Sequence, residues 1–352
     1  MPLTVQIKKQ YGRFCLDADF SAQPGEVLAL LGASGCGKSV TLRCIAGILT
    51  PDRGKILLDG TALFDSVARI NLPPQKRRVG YLFQEYALFP HMTVRQNIAA
   101  AVRDRSLRHT AVEGQLRRFR LEDAAELLPR QISGGQRQRA ALARMLAAEP
   151  RAILLDEPLS ALDSFLRQQL ETELTEVLEG FSGPAVWVTH DRGEAFRNCR
   201  RVCVLDRGIS QPVSSMEALL ARPATAAAAR LSGCENFFQA VPAENAVFLP
   251  EWGAAFRCGS PVPADTGLAG IRARHVRPTK AGAENAFPCV VIRAVEDVSS
   301  VTVLLKREGT DAPLLRMELD KALWTAMGGP SHITAAMNPK DILLFPREAE
   351  NP

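Results

Sequence analysis

Apolar residues in the first part of the chain fall into short runs whose period changes from one run to the next. Val5 and Ile7 alternate with polar neighbours, as in a strand with one buried face. A turn at Gln23-Pro24-Gly25 leads into the unbroken run Val27-Leu28-Ala29-Leu30-Leu31, which suits a strand covered on both faces. Glycines follow, then a helical stretch from about Lys38 to Ile48. Ile56-Leu57-Leu58 before Asp59-Gly60 reads as a strand and turn, and residues 92–148, rich in Ala, Leu and Arg, read as helical. Ile153-Leu154-Leu155 and Val186-Trp187-Val188 are further buried strands, with Trp187 read as core. They end on Asp156 and on Thr189-His190. Ligands of open α/β sheets collect outside the carboxyl ends of the strands, so these polar ends are expected at a ligand.

The pattern changes near residue 231. Residues 222–231 are Ala-rich and read as the last helix of a first domain spanning 1–232, whose helical subdomain covers about 86–150. Beyond Gly233-Cys234 the chain is richer in Pro and Gly, with short apolar runs such as Val301-Thr302-Val303-Leu304-Leu305 and Ile342-Leu343-Leu344-Phe345. Short strands separated by turns predict a small, OB-like β-barrel domain over 233–352. The expected fold is thus an α/β domain with a helical subdomain, followed by that barrel.

Composition narrows the classes. The chain has 352 residues, 46% hydrophobic and 23% charged, with a formal net charge of +5, an ordinary globular balance that needs no nucleic-acid partner. Eight cysteines lack any Cys-x-x-Cys pair, which argues for reduced thiols in a cytosolic protein rather than a zinc site. No signal-peptide core and no run of about eighteen apolar residues is present, so a membrane role is expected to come through a partner.

Residues Gly32-Ala33-Ser34-Gly35-Cys36-Gly37-Lys38-Ser39, with Val40 next, form a phosphate-binding loop between a buried strand and a helix. Its glycines let backbone N–H groups turn inward, and the helix start at Lys38 adds a positive dipole end. Lys38 is expected to reach the β- and γ-phosphates of ATP, and the Ser39 hydroxyl to hold Mg²⁺. Asp156 and Glu157 end a buried strand; the carboxylate of Asp156 suits Mg²⁺, and Glu157 suits a general base for the attacking water. Ser133-Gly134-Gly135-Gln136 opens another helix, with Ser133 as N-cap and the glycines exposing N–H groups. That makes a second anion site, which a neighbouring chain's ATP could use; a simple capped helix is the alternative.

These residues, in this order, resemble the ATP-binding subunit of ABC transporters over about residues 1–232. Ile132-Ser133-Gly134-Gly135-Gln136 is similar to the family signature, with Ile132 in place of the usual Leu. The resemblance implies that Gln84, in Val-Gly-Tyr-Leu-Phe-Gln, contacts Mg²⁺ and water and senses the transmembrane partner. It further implies that Asp163, in Ser160-Ala161-Leu162-Asp163, belongs to the D-loop and that His190 is the switch histidine at the γ-phosphate. Tyr11 matches the aromatic that stacks on adenine, with Phe14 a nearby competitor. Family members form head-to-tail homodimers in which ATP lies between Lys38 of one chain and Ser133 of the other. They drive two transmembrane permease subunits from the cytoplasmic face of the cell membrane, and an external substrate-binding protein acts indirectly. Residues 85–94 resemble the segment of bacterial importers that receives the permease's coupling helix.

Ser232-Gly233-Cys234-Glu235-Asn236-Phe237-Phe238 and Gly270-Ile271-Arg272-Ala273-Arg274-His275-Val276-Arg277-Pro278 resemble the regulatory barrel of importers for sugars, polyamines, iron, sulfate and molybdate. Residues 71–80 most resemble the molybdate and sulfate members, so molybdate is the expected substrate, with sulfate or thiosulfate, or another substrate of the same importer group such as iron, a polyamine or a sugar, as the alternative. Ser299, Ser300, Lys306 and Arg307 offer donors for a regulatory oxyanion, or form a solvated turn. A soluble ABC ATPase outside transport usually carries two cassettes or a coiled coil, and neither is evident here.

Overall fold

The computed structural model describes residues 2–83, 85–160, 164–310 and 312–347. Two compact units result, Met1–Glu217 and Ala218–Pro352. In the first, five parallel strands run in the order Arg201–Asp206, Val27–Leu31, Ala185–Thr189, Ala152–Asp156, Val79–Leu82. Every residue of Ala152–Asp156 and Ala185–Thr189 is buried, including Trp187, which is why these strands carry no polar alternation. Ile209–Ser210 joins this core to an antiparallel wing of Phe14–Ala22, Leu3–Tyr11, Arg53–Leu58, Thr61–Asp65 and Ile70–Asn71. There the alternation reappears, with Leu3, Val5 and Ile7 inside and Gln6 and Lys8 outside.

Helix Lys38–Ala46 packs Leu42, Cys44 and Ile45 into a core shared with Leu28, Leu30, Leu154 and Val188. Its carboxyl end is closed by an arginine from elsewhere in the sequence. Arg77 is 1% exposed, and its guanidinium donates to the carbonyls of Cys44 at 2.8 Å, Ile45 at 2.9 Å and Leu72 at 2.7 Å, and to Asn71 Oδ1 at 2.7 Å. The last carbonyls of a helix lack intrahelical partners and carry its negative dipole end, so a cation there is doubly favourable. Burial holds the guanidinium below its ordinary pKa, but it remains charged. Arg77→Met is expected to leave these acceptors unsatisfied and cost about 3 kcal/mol, a fall of roughly 6–12 °C in the melting temperature of this unit. A thermal melt unchanged by the substitution would contradict this role.

The helical subdomain consists of Val94–Ala101, Arg108–Arg118 and Gly134–Ala147, packed on one another through Val94, Ile98, Val112, Leu116 and Leu142. Two capping boxes set its helix starts, Thr93 with Gln96 and Ser133 with Gln136. No described helix is long and apolar enough to cross a membrane.

In the second unit, Ala286–Glu296 sits at the centre of a five-strand antiparallel sheet ordered Val276–Pro278, His332–Met337, Ala286–Glu296, Ser300–Arg307, Leu315–Asp320. Its two edge strands approach each other, so the sheet nearly closes into a barrel. Trp252 fills the core edge-on to Phe238, Phe256 and Phe287. Helix Ala226–Leu231, expected to end the first domain, groups with this unit instead. Ala226 and Ala229 are buried against Cys234 and Phe345, so its apolar face is satisfied on the barrel side. The expected donor group does not converge. Ser300 and Arg307 mark opposite ends of one strand, roughly 20 Å apart at the rise of an extended chain, and Arg307 donates to the Trp252 carbonyl.

Candidate active site

The phosphate loop leaves strand Val27–Leu31 and enters helix Lys38–Ala46. Two of its glycines have specific causes. Gly37 takes a φ of 108° as the helix N-cap, a left-handed conformation that side chains disfavour. At Gly32 a Cβ would meet the Leu205 carbonyl and the Cys36 sulfur, each at 2.3 Å. Lys38, 6% exposed, folds back over the loop and donates to the carbonyls of Gly32 at 2.7 Å and Ala33 at 2.9 Å. The Cys36 sulfur lies 3.9 Å from the same ammonium. A buried ammonium whose hydrogen bonds go to neutral groups favours an anion beside it.

Ser39 Oγ donates to Asp156 Oδ1 at 2.9 Å, joining residues far apart in sequence through the parallel sheet. Tyr81 donates to the other carboxylate oxygen at 2.7 Å. Burial first, and the Asp156 charge second, push the Tyr81 phenol far above its ordinary pKa, so it stays a donor. Hydroxyl and carboxylate oxygens converging beside a phosphate loop form the hard donor set that suits Mg²⁺. Glu157 has a φ of 47°, an unfavourable left-handed conformation for a non-glycine residue, and its N–H is tied to the Val188 carbonyl at 3.0 Å. Its carboxylate faces His190, with Oε2 and Nδ1 3.2 Å apart. Thr189 orients the next turn by donating to the buried Glu194, whose carboxyl pKa is raised by burial.

A cleft of about 710 Å³ opens beside Ser39 and Asp156, lined also by Arg43, Tyr86, Arg130 and Arg137. Ser133, Gly134, Gly135 and Gln136 do not line it, although Arg137 follows directly. Instead Ser133 Oγ accepts the Gln136 N–H at 3.2 Å, and Gln136 Oε1 accepts the Ser133 N–H at 2.9 Å. Tyr11 is 62% exposed at the end of its strand, whereas Phe14 packs on the core and against Gly37. The expected Gln84 and Asp163 lie outside the described residues.

Sequence reading missed Tyr81 and a second link. Tyr86 donates to Gln138 at 3.0 Å, and Gln138 donates to the Pro158 carbonyl at 3.2 Å, tying the segment after Gln84 to the helix after Ser133 and to the turn after Glu157. The signal for Tyr81 is a hydroxyl in an otherwise apolar segment, which needs a partner when buried.

Fold and site together define a phosphate-loop nucleotide-binding protein. The family profile described as ABC transporter matches residues 15–160. The sulfate/thiosulfate import ATP-binding protein CysA of Burkholderia pseudomallei is 32% identical over 363 residues, covering 98% of this chain and 99% of that protein. With that full-length match, the chain belongs to the family of ABC transporter ATP-binding proteins. The putrescine transport ATP-binding protein PotG of Escherichia coli is 40% identical over 229 residues, 64% of this chain and 59% of PotG. The Fe(3+) ions import ATP-binding protein FbpC of Haemophilus influenzae is 44% identical over 196 residues, 54% of this chain and 55% of FbpC. These two matches thus span little more than half of each relative. A dimeric structure of the ATP-binding cassette MJ0796 with ADP and Pi aligns with a TM-score of 0.52 and 28% identity, covering 61% of this chain and 99% of that one.

Proposed function

We propose that the chain is the ATP-hydrolysing subunit of an ABC importer for a tetrahedral oxyanion. The observation that carries the ATPase reading is the meeting of Lys38, Ser39 and Asp156 at one end of the sheet, with Glu157 and His190 on the adjoining strand ends. Lys38 exchanges its loop carbonyls for the β- and γ-phosphate oxygens, and the loop N–H groups cradle the same anion. Ser39, Asp156 and Gln84 would hold Mg²⁺, which would supply neutralising charge for the phosphates. Glu157 accepts a proton from the attacking water as its oxygen bonds to the γ-phosphorus, while the bond to the ADP oxygen breaks. His190 contacts the γ-phosphate and stays oriented by Glu157. Tyr11 stacks on adenine, since Phe14 is already committed to packing.

The second half of the nucleotide site comes from another copy, through Ser133, Gly134, Gly135, Gln136 and Asp163. The dimeric MJ0796 structures support that assembly. The permease subunits dock on residues 85–94, where Phe89 and Met92 are exposed, at the cytoplasmic face of the membrane.

The substrate reading follows the relative that matches over its full length, named for sulfate and thiosulfate import. Molybdate, suggested by residues 71–80, has the same tetrahedral oxyanion chemistry, while none of the relatives named above is named for it. Iron or polyamine import is the second reading, favoured by the 44% and 40% identities over shorter segments. The test isolates this chain with its two membrane subunits and binding protein in vesicles and measures ATPase rate with sulfate, thiosulfate, molybdate, Fe³⁺ or putrescine. Stimulation by an oxyanion alone is expected. Stimulation by Fe³⁺ or putrescine instead would overturn the substrate reading, and absence of ATP hydrolysis would overturn the function.

A further inference from the structure

Strand Val79–Leu82 runs parallel to Ala152–Asp156, with Tyr81 level with Leu154 and Leu82 with Leu155. A tyrosine hydroxyl lies roughly two strand residues from its own Cα, so this register brings it to the end of the neighbouring strand, where Asp156 stands. There it donates to Oδ2 at 2.7 Å while Ser39 donates to Oδ1 at 2.9 Å. Both oxygens of one carboxylate are therefore held by hydroxyl donors from different elements. Arg43, one turn beyond Ser39 on the phosphate-loop helix, lines the same cleft as Ser39 and Asp156. The Tyr81 ring is braced by Phe83, at a centroid distance of 4.2 Å.

An aspartate's terminal torsion is broad and soft, so a carboxylate held by one donor alone still swivels. A second donor on a braced ring removes that freedom. We propose that Tyr81 is a positioning residue for the divalent cation, its hydroxyl fixing the Asp156 carboxylate so that Oδ1 faces Ser39 and the metal bound with the nucleotide. The proposal rests on reading Ser39 and Asp156 as the metal end of an ATP site. Groups that orient a metal ligand through a hydrogen bond typically change metal affinity by 10–100-fold when removed.

Tyr81→Phe keeps the ring and its contact with Phe83 and deletes only the hydroxyl. Mn²⁺ serves as the probe, titrated into ATP-loaded full-length chain and read by electron paramagnetic resonance in a Glu157→Gln background, where turnover does not interfere. Mn²⁺ affinity is expected to fall about 10–100-fold, while ATP affinity measured in EDTA stays within about twofold. In an Asp156→Asn background the same substitution is expected to have no further effect on Mn²⁺ affinity. Unchanged Mn²⁺ affinity in Tyr81→Phe, or an equal loss of metal-free ATP affinity, would overturn the positioning role. A parent chain that binds ATP without taking up Mn²⁺ would instead overturn the underlying reading of Ser39 and Asp156, and the proposal with it.

Discussion

Replacing Glu157 with glutamine is expected to lower steady-state ATP turnover by about 10²–10⁴-fold while ATP affinity stays within about twofold. The amide has the shape of the carboxylate and can still accept a hydrogen bond from His190, now 3.2 Å from the carboxylate oxygen. What it loses is the ability to take a proton from water. Removing a negative charge near the γ-phosphate also lowers repulsion, so binding has no electrostatic reason to weaken. The left-handed backbone at this position, φ 47°, is the same for either side chain, and folding should not change. Phosphate release and equilibrium binding of a fluorescent ATP analogue measure the two quantities separately. Wild-type turnover in the variant would remove Glu157 from the general-base role.

The second large effect is expected at Lys38. Its ammonium lies 2.7 and 2.9 Å from two loop carbonyls and 3.9 Å from the Cys36 sulfur. On binding, phosphate oxygens replace those neutral acceptors, and hydrogen bonds to charged partners contribute about 1.5–3 kcal/mol each. Lys38→Ala should therefore weaken ATP binding by about 10–150-fold, measurable by calorimetry. Alanine also frees the Gly32 and Ala33 carbonyls, so a loss of binding could come from a reshaped loop. Lys38→Arg separates the two causes, because it keeps the charge and the donors near those carbonyls. Partial recovery with arginine is expected, and unchanged ATP affinity in Lys38→Ala would contradict the phosphate-loop reading.

Much of the nucleotide end was legible because it is local. The phosphate loop is one contiguous string after an apolar run, and the capping box of Ser133 and Gln136 is spelled by residues three apart. Three of the five parallel strands, Val27–Leu31, Ala152–Asp156 and Ala185–Thr189, were legible for the same reason, since a strand buried on both faces leaves an unbroken apolar run; Val79–Leu82 and Arg201–Asp206 were not read as strands. What stayed hidden depends on register between distant segments. Tyr81 meets Asp156 only because two strands align with Tyr81 opposite Leu154. Arg77 reads as one more surface cation in Lys76-Arg77-Arg78, yet it is buried beneath a helix end. The four polar residues 299, 300, 306 and 307 look like a cluster in sequence, but an extended strand separates the first pair from the second. Helix Ala226–Leu231 carries almost only alanine on its buried face, and alanine records burial without recording the partner. Its grouping with the second unit was therefore invisible until Phe345 was placed against it.

In the proposed assembly, Lys38 and Ser133 act on the same ATP from different copies of the chain. Sedimentation of the Glu157→Gln variant with and without Mg²⁺-ATP tests it most directly, because bound ATP then persists in the site. ATP is expected to convert the variant from monomer to dimer, and adding Ser133→Arg is expected to abolish the conversion. A mass that does not respond to saturating ATP, or an ATP-dependent dimer indifferent to Ser133→Arg, would contradict it.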